Sequence, residues 1–370
     1  MSYDMKKYLM RSIFGGVMAG VLLMVFGCDS IKPEHCKDCA EEKDLRHVVL
    51  DLGGAATIRT KVIGVTDTME TVVRGSRLYV FTQEGYQINN WSSKDGEFDF
   101  YLTDGTYDFV AVANFEDLPG TSATRDDLFA VDVPIESSSL TPETGGFVMV
   151  GRLADHIIKD DEKITVEVER ELSKVSFCVR SKFEDDLAYY PFVVDAIYMS
   201  NVPGVNTIGL TKSKYPGDGV WYNKMFPDCD RQVMGSDSTM VAYKAGDYPT
   251  EMLYGSFHKE LSPGDSLMSG HFFYIAPNAC EDSRDTTNWT PRCTRFVVKA
   301  TLNGIPTYYA ATMNIDGQGV KPNRHYHIDM TIKGWGTDHP EVEPSEMGSM
   351  IPLFNVEEWK DGGGVIAQEL

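Results

Sequence analysis

Beyond residue 46, apolar and polar side chains alternate along the chain with a period of two, the signature of strands with one buried face. Val48, Leu50 and Leu52 alternate with Val49, Asp51 and Gly53. Leu78-Tyr79-Val80-Phe81 is a short β-branched and aromatic run that ends at a turn-like Glu84-Gly85. Tyr107, Phe109, Ala111 and Ala113 share one face, and Ile164, Val166 and Val168 alternate with Thr165, Glu167 and Glu169. Val175, Phe177 and Val179 follow; strands are also predicted over residues 192–199, 271–275, 296–302 and 307–314. Tyr326, Ile328, Met330 and Ile332 then alternate with His325, His327, Asp329 and Thr331. Strands at this spacing, separated by Gly, Pro, Asn and Asp, predict antiparallel sandwiches and not βαβ units. Residues 125–130 have room for one or two helical turns. The Gly-, Pro- and Asp-rich stretch 201–247 reads as long surface loops. The halves divide near residues 170–173.

Composition narrows the class. The chain has 370 residues. At roughly 150 residues per domain, that length suggests two domains. Apolar residues make up 42% and charged residues 24%. Such a chain is too apolar to stay disordered. The net charge is −21 and the pI is near 4.7. An acidic surface argues against phosphate-backbone binding, hence against nucleic acid, and against docking on anionic lipid.

The N-terminus carries its own message. Lys6, Lys7 and Arg11 precede an uncharged run over residues 12–27. This is the pattern of a secretory signal, and it is short for a membrane span. Val25-Phe26-Gly27-Cys28 resembles a bacterial lipobox, which makes Cys28 the lipid-attachment residue and 1–27 the signal peptide. The polar residues behind Cys28 suit a tether. Six further cysteines remain. Cys36-Lys37-Asp38-Cys39 supplies only two of the four ligands a zinc site needs, so a local disulfide or idle thiols is the simpler reading. Cys280 and Cys293 bracket a polar loop that a disulfide could close.

Six further pieces, in order, resemble the fimbrillin family, the pilins of Bacteroidales-type (type V) pili. A first strand, His47 to Leu52, is followed by Thr57-Ile58-Arg59-Thr60. Then come Leu78-Tyr79-Val80-Phe81, the segment from Gly105-Thr106-Tyr107 to Ala113-Asn114, and Val168-Glu169-Arg170-Glu171-Leu172-Ser173-Lys174-Val175. Pro322-Asn323-Arg324-His325-Tyr326-His327-Ile328 and a terminal Phe354-Asn355-Val356-Glu357-Glu358-Trp359 complete the set. The stretch 201–247 departs most from the family.

The resemblance implies a fold and a life cycle. The expected fold is all-β: two tandem antiparallel β-sandwich domains, transthyretin-like with Greek-key topology. Such a pilin is an outer-membrane lipoprotein precursor whose N-terminal strand fills a groove in its own sandwich. An Arg-specific protease removes that strand, and a neighbour's C-terminal strand refills the groove, giving a head-to-tail cell-surface fimbria. On this chain the tether spans 28–46 and the propeptide strand 47–59, with Val48, Leu50 and Leu52 facing the groove. Cleavage falls between Arg59 and Thr60. An N-terminal domain over 60–171 and a C-terminal domain over 172–370 follow, with an arm from about 349 bearing Ile351, Leu353, Phe354, Val356 and Trp359. Arg46 precedes the strand, and Arg74 and Arg77 crowd the next one, so Arg59 is the better site. Residues 1–59 hold eight basic and eight acidic residues, so a chain beginning at Thr60 keeps the full −21. The arm admits two readings: the last strand of its own domain, or a strand donated to the next subunit. Donation is the favoured one.

Enzyme signatures are absent. Gly-x-Ser-x-Gly, His-Glu-x-x-His and P-loop patterns do not occur, and neither a cofactor nor a metal is expected. His325-x-His327-x-Asp329 has metal-binding spacing, but on an alternating strand it is more simply the solvent face. Partners are other pilin subunits, the protease, the lipid anchor and host or bacterial surface ligands. The alternative is a non-polymerising surface lipoprotein that binds glycans or host proteins, stacking sugars on Trp91, Trp221, Trp289, Tyr215 and Tyr222.

Overall fold

The protein is described by a computed structural model covering residues 45–54, 70–134, 146–209, 221–222, 253–269, 272–279, 293–338, 340 and 349–359. Seven strands and one helical turn of the first half are β1 (Leu45–Gly54), β2 (Ser76–Thr82), β3 (Gln87–Ser93), β4 (Glu97–Thr103), β5 (Gly105–Ala113), α1 (Arg125–Phe129), β6 (Asp132–Pro134) and β7 (Met149–Ile158). The chain continues through β8 (Glu162–Arg170), β9 (Ser173–Ser181), β10 (Phe192–Ser200), β11 (Val202–Pro203), β12 (Val205–Thr207), β13 (Trp221–Tyr222) and β14 (Leu253–Glu260). It ends with β15 (Ser266–Met268), β16 (Phe273–Ile275), β17 (Arg295–Leu302), β18 (Ile305–Thr312), β19 (Arg324–Ile332) and β20 (Met350–Glu358). The all-β expectation holds.

In the first half the strand order is β3-β2-β5-β7-β8-β1-β4. β7 meets β8 over only three residue pairs, Met149 to Gly151 against Arg170 to Val168, and there the sheet folds over on itself. Gly151 permits the corner, since a Cβ would overlap the Glu167 carbonyl. The two leaves enclose one core of Leu78, Val80, Phe109 and Ala111 from one side and Val48, Leu50, Phe98, Phe100, Ile164 and Val166 from the other. β4 shows the cause plainly: Phe98, Phe100 and Leu102 point in while Glu97, Asp99, Tyr101 and Thr103 point out.

The second half faces a β14-β10-β17-β18 sheet against a sheet ordered β15-β9-β19-β20, with β16 also paired to β9. Their shared core includes Val175, Phe177, Phe192, Phe296, Tyr309, Ile328 and Met330. Phe147 from the first half enters this second core, and residues 44–370 form one compact unit.

Two ladders depart from antiparallel pairing: β1 runs parallel to β8, and β9 parallel to β19. Two further local expectations change. Residues 201–209 are not a surface loop, because Asn201, Val202 and Ile208 are buried and β12 pairs with β6. Polar Asn201 tolerates burial by hydrogen bonding to Cys293, Thr294 and Asn278. Arg46, Gly53 and Gly54 lie inside β1, so the strand is longer at both ends than the alternation suggests. Among the described residues no helix is long and apolar enough to cross a membrane.

Candidate functional site

β1 lies between β4 and β8, hydrogen-bonded to both. Val48 and Leu50 have no solvent exposure and Leu52 has 8%. At about 1.5–3 kcal/mol for each fully buried side chain, these three apolar residues are a large part of what holds the strand. Surface contacts flank it: Arg46 pairs with Asp104 at 2.5 Å and Asp51 with Lys163 at 2.6 Å, while the His47 ring lies 2.7 Å from an Asp99 carboxylate oxygen. Such exposed pairs contribute little energy. Without β1, the edges of both β4 and β8 would be unpaired and the core open between them.

β1 runs towards the end of β8, where Gly54 lies beside Val168. Two residues on, Arg170 opens a buried cluster at the junction of the two halves. Its Nε donates to the Glu70 carbonyl at 2.9 Å, and one terminal nitrogen donates to the Trp359 carbonyl at 3.1 Å and to Asn323 Oδ1 at 3.3 Å. The guanidinium sits 4.5 Å from the Trp359 ring centroid, a desolvated cation–π contact. The Glu70 carboxylate accepts from Lys174 Nζ at 2.9 and 3.1 Å, from the Tyr274 hydroxyl at 2.5 Å and from Trp359 Nε1 at 2.8 Å. Glu70 is thus paired with Lys174, while carbonyls and an indole face receive the Arg170 guanidinium. The buried charges are paired or hydrogen-bonded, as burial requires.

Asparagines hold the frame. Asn323, at φ +51°, accepts from the Trp359 backbone N–H at 3.1 Å and donates its own N–H to the Leu172 carbonyl. Asn114, at φ +59°, accepts from the Arg74 N–H and donates to the Val72 and Phe147 carbonyls, pinning the segment behind Glu70. Both tolerate the left-handed region that most side chains avoid. The matched pieces around Asn114, Arg170, Lys174, Asn323 and Trp359 thus converge on one place. Glu70 carried no sequence signal, since it belongs to no alternating run. Adjacent Glu171 is fully buried, neither oxygen has a hydrogen-bond partner among the described residues, and burial pushes its carboxyl up to about 8.

The C-terminal arm is β20, the edge strand beside β19. Ile351 and Leu353 point to solvent, Val356 is exposed, Phe354 packs partly against the second core, and only Trp359 is deeply buried. Tyr274 stacks on the Trp359 indole and Phe147 meets its edge.

The remaining sequence candidates separate. Cys28, Arg59 and Thr60 lie outside the described residues, as do Trp289 and Tyr215. Arg77 is held in β2 by the Leu118 and Pro119 carbonyls at 2.9 Å. Trp91 stacks on Phe100 at 4.4 Å against the first core, and Trp221 and Tyr222 form β13. Cys293 is disulfide-bonded, and Cys178 is a buried free thiol. His325 Nε2 and His327 Nδ1 both lie against Ser176 Oγ, at 2.9 and 2.8 Å, while Asp329 binds Arg180 at 3.0 Å. Burial, with Lys174 and His327 nearby, lowers the His325 imidazole to about 4. Among the described residues no group of three or more His, Cys, Asp or Glu side chains is placed to hold a metal.

The fold is similar to that of solved fimbrial and cell-adhesion proteins. A fimbrilin from Porphyromonas gingivalis is similar with a TM-score of 0.57 at 14% identity, over 86% of this chain and 98% of its own. Candidate cell adhesion proteins from Parabacteroides distasonis and Bacteroides eggerthii give TM-scores of 0.55 and 0.53 at 16% and 17% identity. They cover 86% and 85% of this chain and 99% and 96% of theirs. More particularly, residues 51–204 match the family "Fimbrillin-A associated anchor proteins Mfa1 and Mfa2". The resemblance to fimbrillins is thereby borne out. A search of curated protein sequences returns no match.

Proposed function

We propose that this chain is a structural subunit of a cell-surface fimbria, exported as an outer-membrane lipoprotein through Cys28, cut between Arg59 and Thr60 and assembled by strand exchange in support of adhesion. The observation that carries this reading is the position of β1. Three buried apolar side chains and two ladders hold it between β4 and β8. Its departure would therefore create a strand-shaped acceptor. Of the alternatives to Arg59, Arg74 is exposed outside any strand, whereas the other two are poorer sites. Arg46 and Arg77 lie in paired strands with their guanidinium groups engaged, and a protease binds extended, unpaired chain. Exchange that passes a strand head to tail does not close on itself and yields a filament.

The test is the N-terminal sequence of the protein taken from cells, beside an Arg59→Ala variant. The expected result is a chain beginning at Thr60 in the wild type, with a ladder of multimers that the variant lacks. Normal assembly of Arg59→Ala removes the cut from the mechanism.

The description of the matched family as anchor proteins favours a second reading, a terminal subunit that keeps its lipid and its β1. Material from cells that begins at an acylated Cys28 selects this second role.

A further inference from the structure

We infer that Glu70 and Trp359 form a latch that holds the C-terminal arm in its own domain. This deepens the assembly reading above and rests on it for its purpose. β20 is an edge strand. Among the described residues its one neighbour is β19, Ile351 and Leu353 face solvent, Val356 is exposed, and Pro352 lacks a backbone donor. An arm held this lightly frays unless its end is fastened.

Trp359 is the fastening. Glu70 takes its indole N–H, Arg170 takes its carbonyl, Asn323 takes its backbone N–H, and Arg170 and Tyr274 cover its ring. The Glu70 carboxylate that grips Trp359 also holds Lys174 and Tyr274, so loosening Glu70 leaves Lys174 charged and buried without that partner. Arg170 completes the coupling. It ends the strand that β1 pairs with, and it binds the Glu70 carbonyl on one side and the Trp359 carbonyl on the other.

The test is amide hydrogen exchange on the uncut full-length monomer, comparing wild type with Trp359→Phe, Glu70→Gln and the double variant. Trp359→Phe keeps an aromatic ring and removes the donor. The expected result is exchange across 350–358 that is faster by about tenfold or more in each single variant, with no further gain in the double and unchanged exchange in β2 and β5. Exchange in β20 that is unchanged, or that rises together with β2 and β5, overturns the latch. Because the readout is on monomer, the two claims fail separately. Loosened arms without multimers retain the latch and remove the assembly reading, while multimers with undisturbed β20 exchange do the reverse.

Discussion

Leu50 faces Phe98 across the β1–β4 ladder, and both side chains are sealed in the first core. The side chain of Val49, one residue earlier, points the other way and is only half-buried. This alternation predicts that Leu50→Ala costs the uncut protein about 2–5 kcal/mol, and Val49→Ala less than about 1 kcal/mol. Urea titration of the two variants measures it. Equal losses would mean that β1 is not seated as described.

Glu171 makes the protein less stable as pH rises. Its folded carboxyl holds a proton up to about 8, against an ordinary 4.5, so between those values the folded state binds the extra proton. Stability then falls by about 1.4 kcal/mol per pH unit across the window and levels above it. Glu171→Gln removes that slope and stabilises the protein at neutral pH. Midpoints in urea that track each other from pH 4.5 to about 8 in both proteins would refute it.

His325 acts at the acid end. Its imidazole titrates near 4 in the folded protein and near 6.5 when unfolded, so the unfolded state takes the proton first. The associated stability is present above pH 6.5 and is lost as pH falls to about 4. The ring proton resonances of His325 should show a midpoint near 4; a midpoint near 6.5 would place this ring in water.

The outward residues of the arm offer a separation of assembly from folding. Leu353 is 60% exposed. Leu353→Asp should therefore change monomer stability by less than about 0.5 kcal/mol while blocking multimer formation. Truncation after Gly348 behaves differently. It strips Trp359 from the Glu70 cluster and leaves buried charge less satisfied, so the truncated monomer should melt well below the full chain. A stable truncated monomer would show that the arm contributes nothing in its own domain.

Much of this protein is legible in its residue pattern. Alternation marks β1, β5, β8 and β19, because a strand with one buried face must repeat every second residue, while β2 shows as a short β-branched and aromatic run buried on both faces. It does not find β3, whose Gln87, Ile88, Asn89 and Asn90 show no apolar face because the strand is an edge. Alternation is also the same whether strands run parallel or antiparallel. The parallel joining of β1 to β8, and of β9 to β19, is set by packing between distant segments. The arm was ambiguous for a related reason: Met350, Pro352 and Phe354 on one face and Ile351 and Leu353 on the other are all apolar, so the pattern selects neither face. Its burial is settled at its end instead, by a 2.8 Å hydrogen bond between side chains 289 positions apart. A carboxylate and an indole that distant leave no trace in local sequence. Their pairing exists because β8, β9, β16 and the turn before β19 bring Arg170, Lys174, Tyr274 and Asn323 around them, and folding two sandwiches against one another is what creates the site.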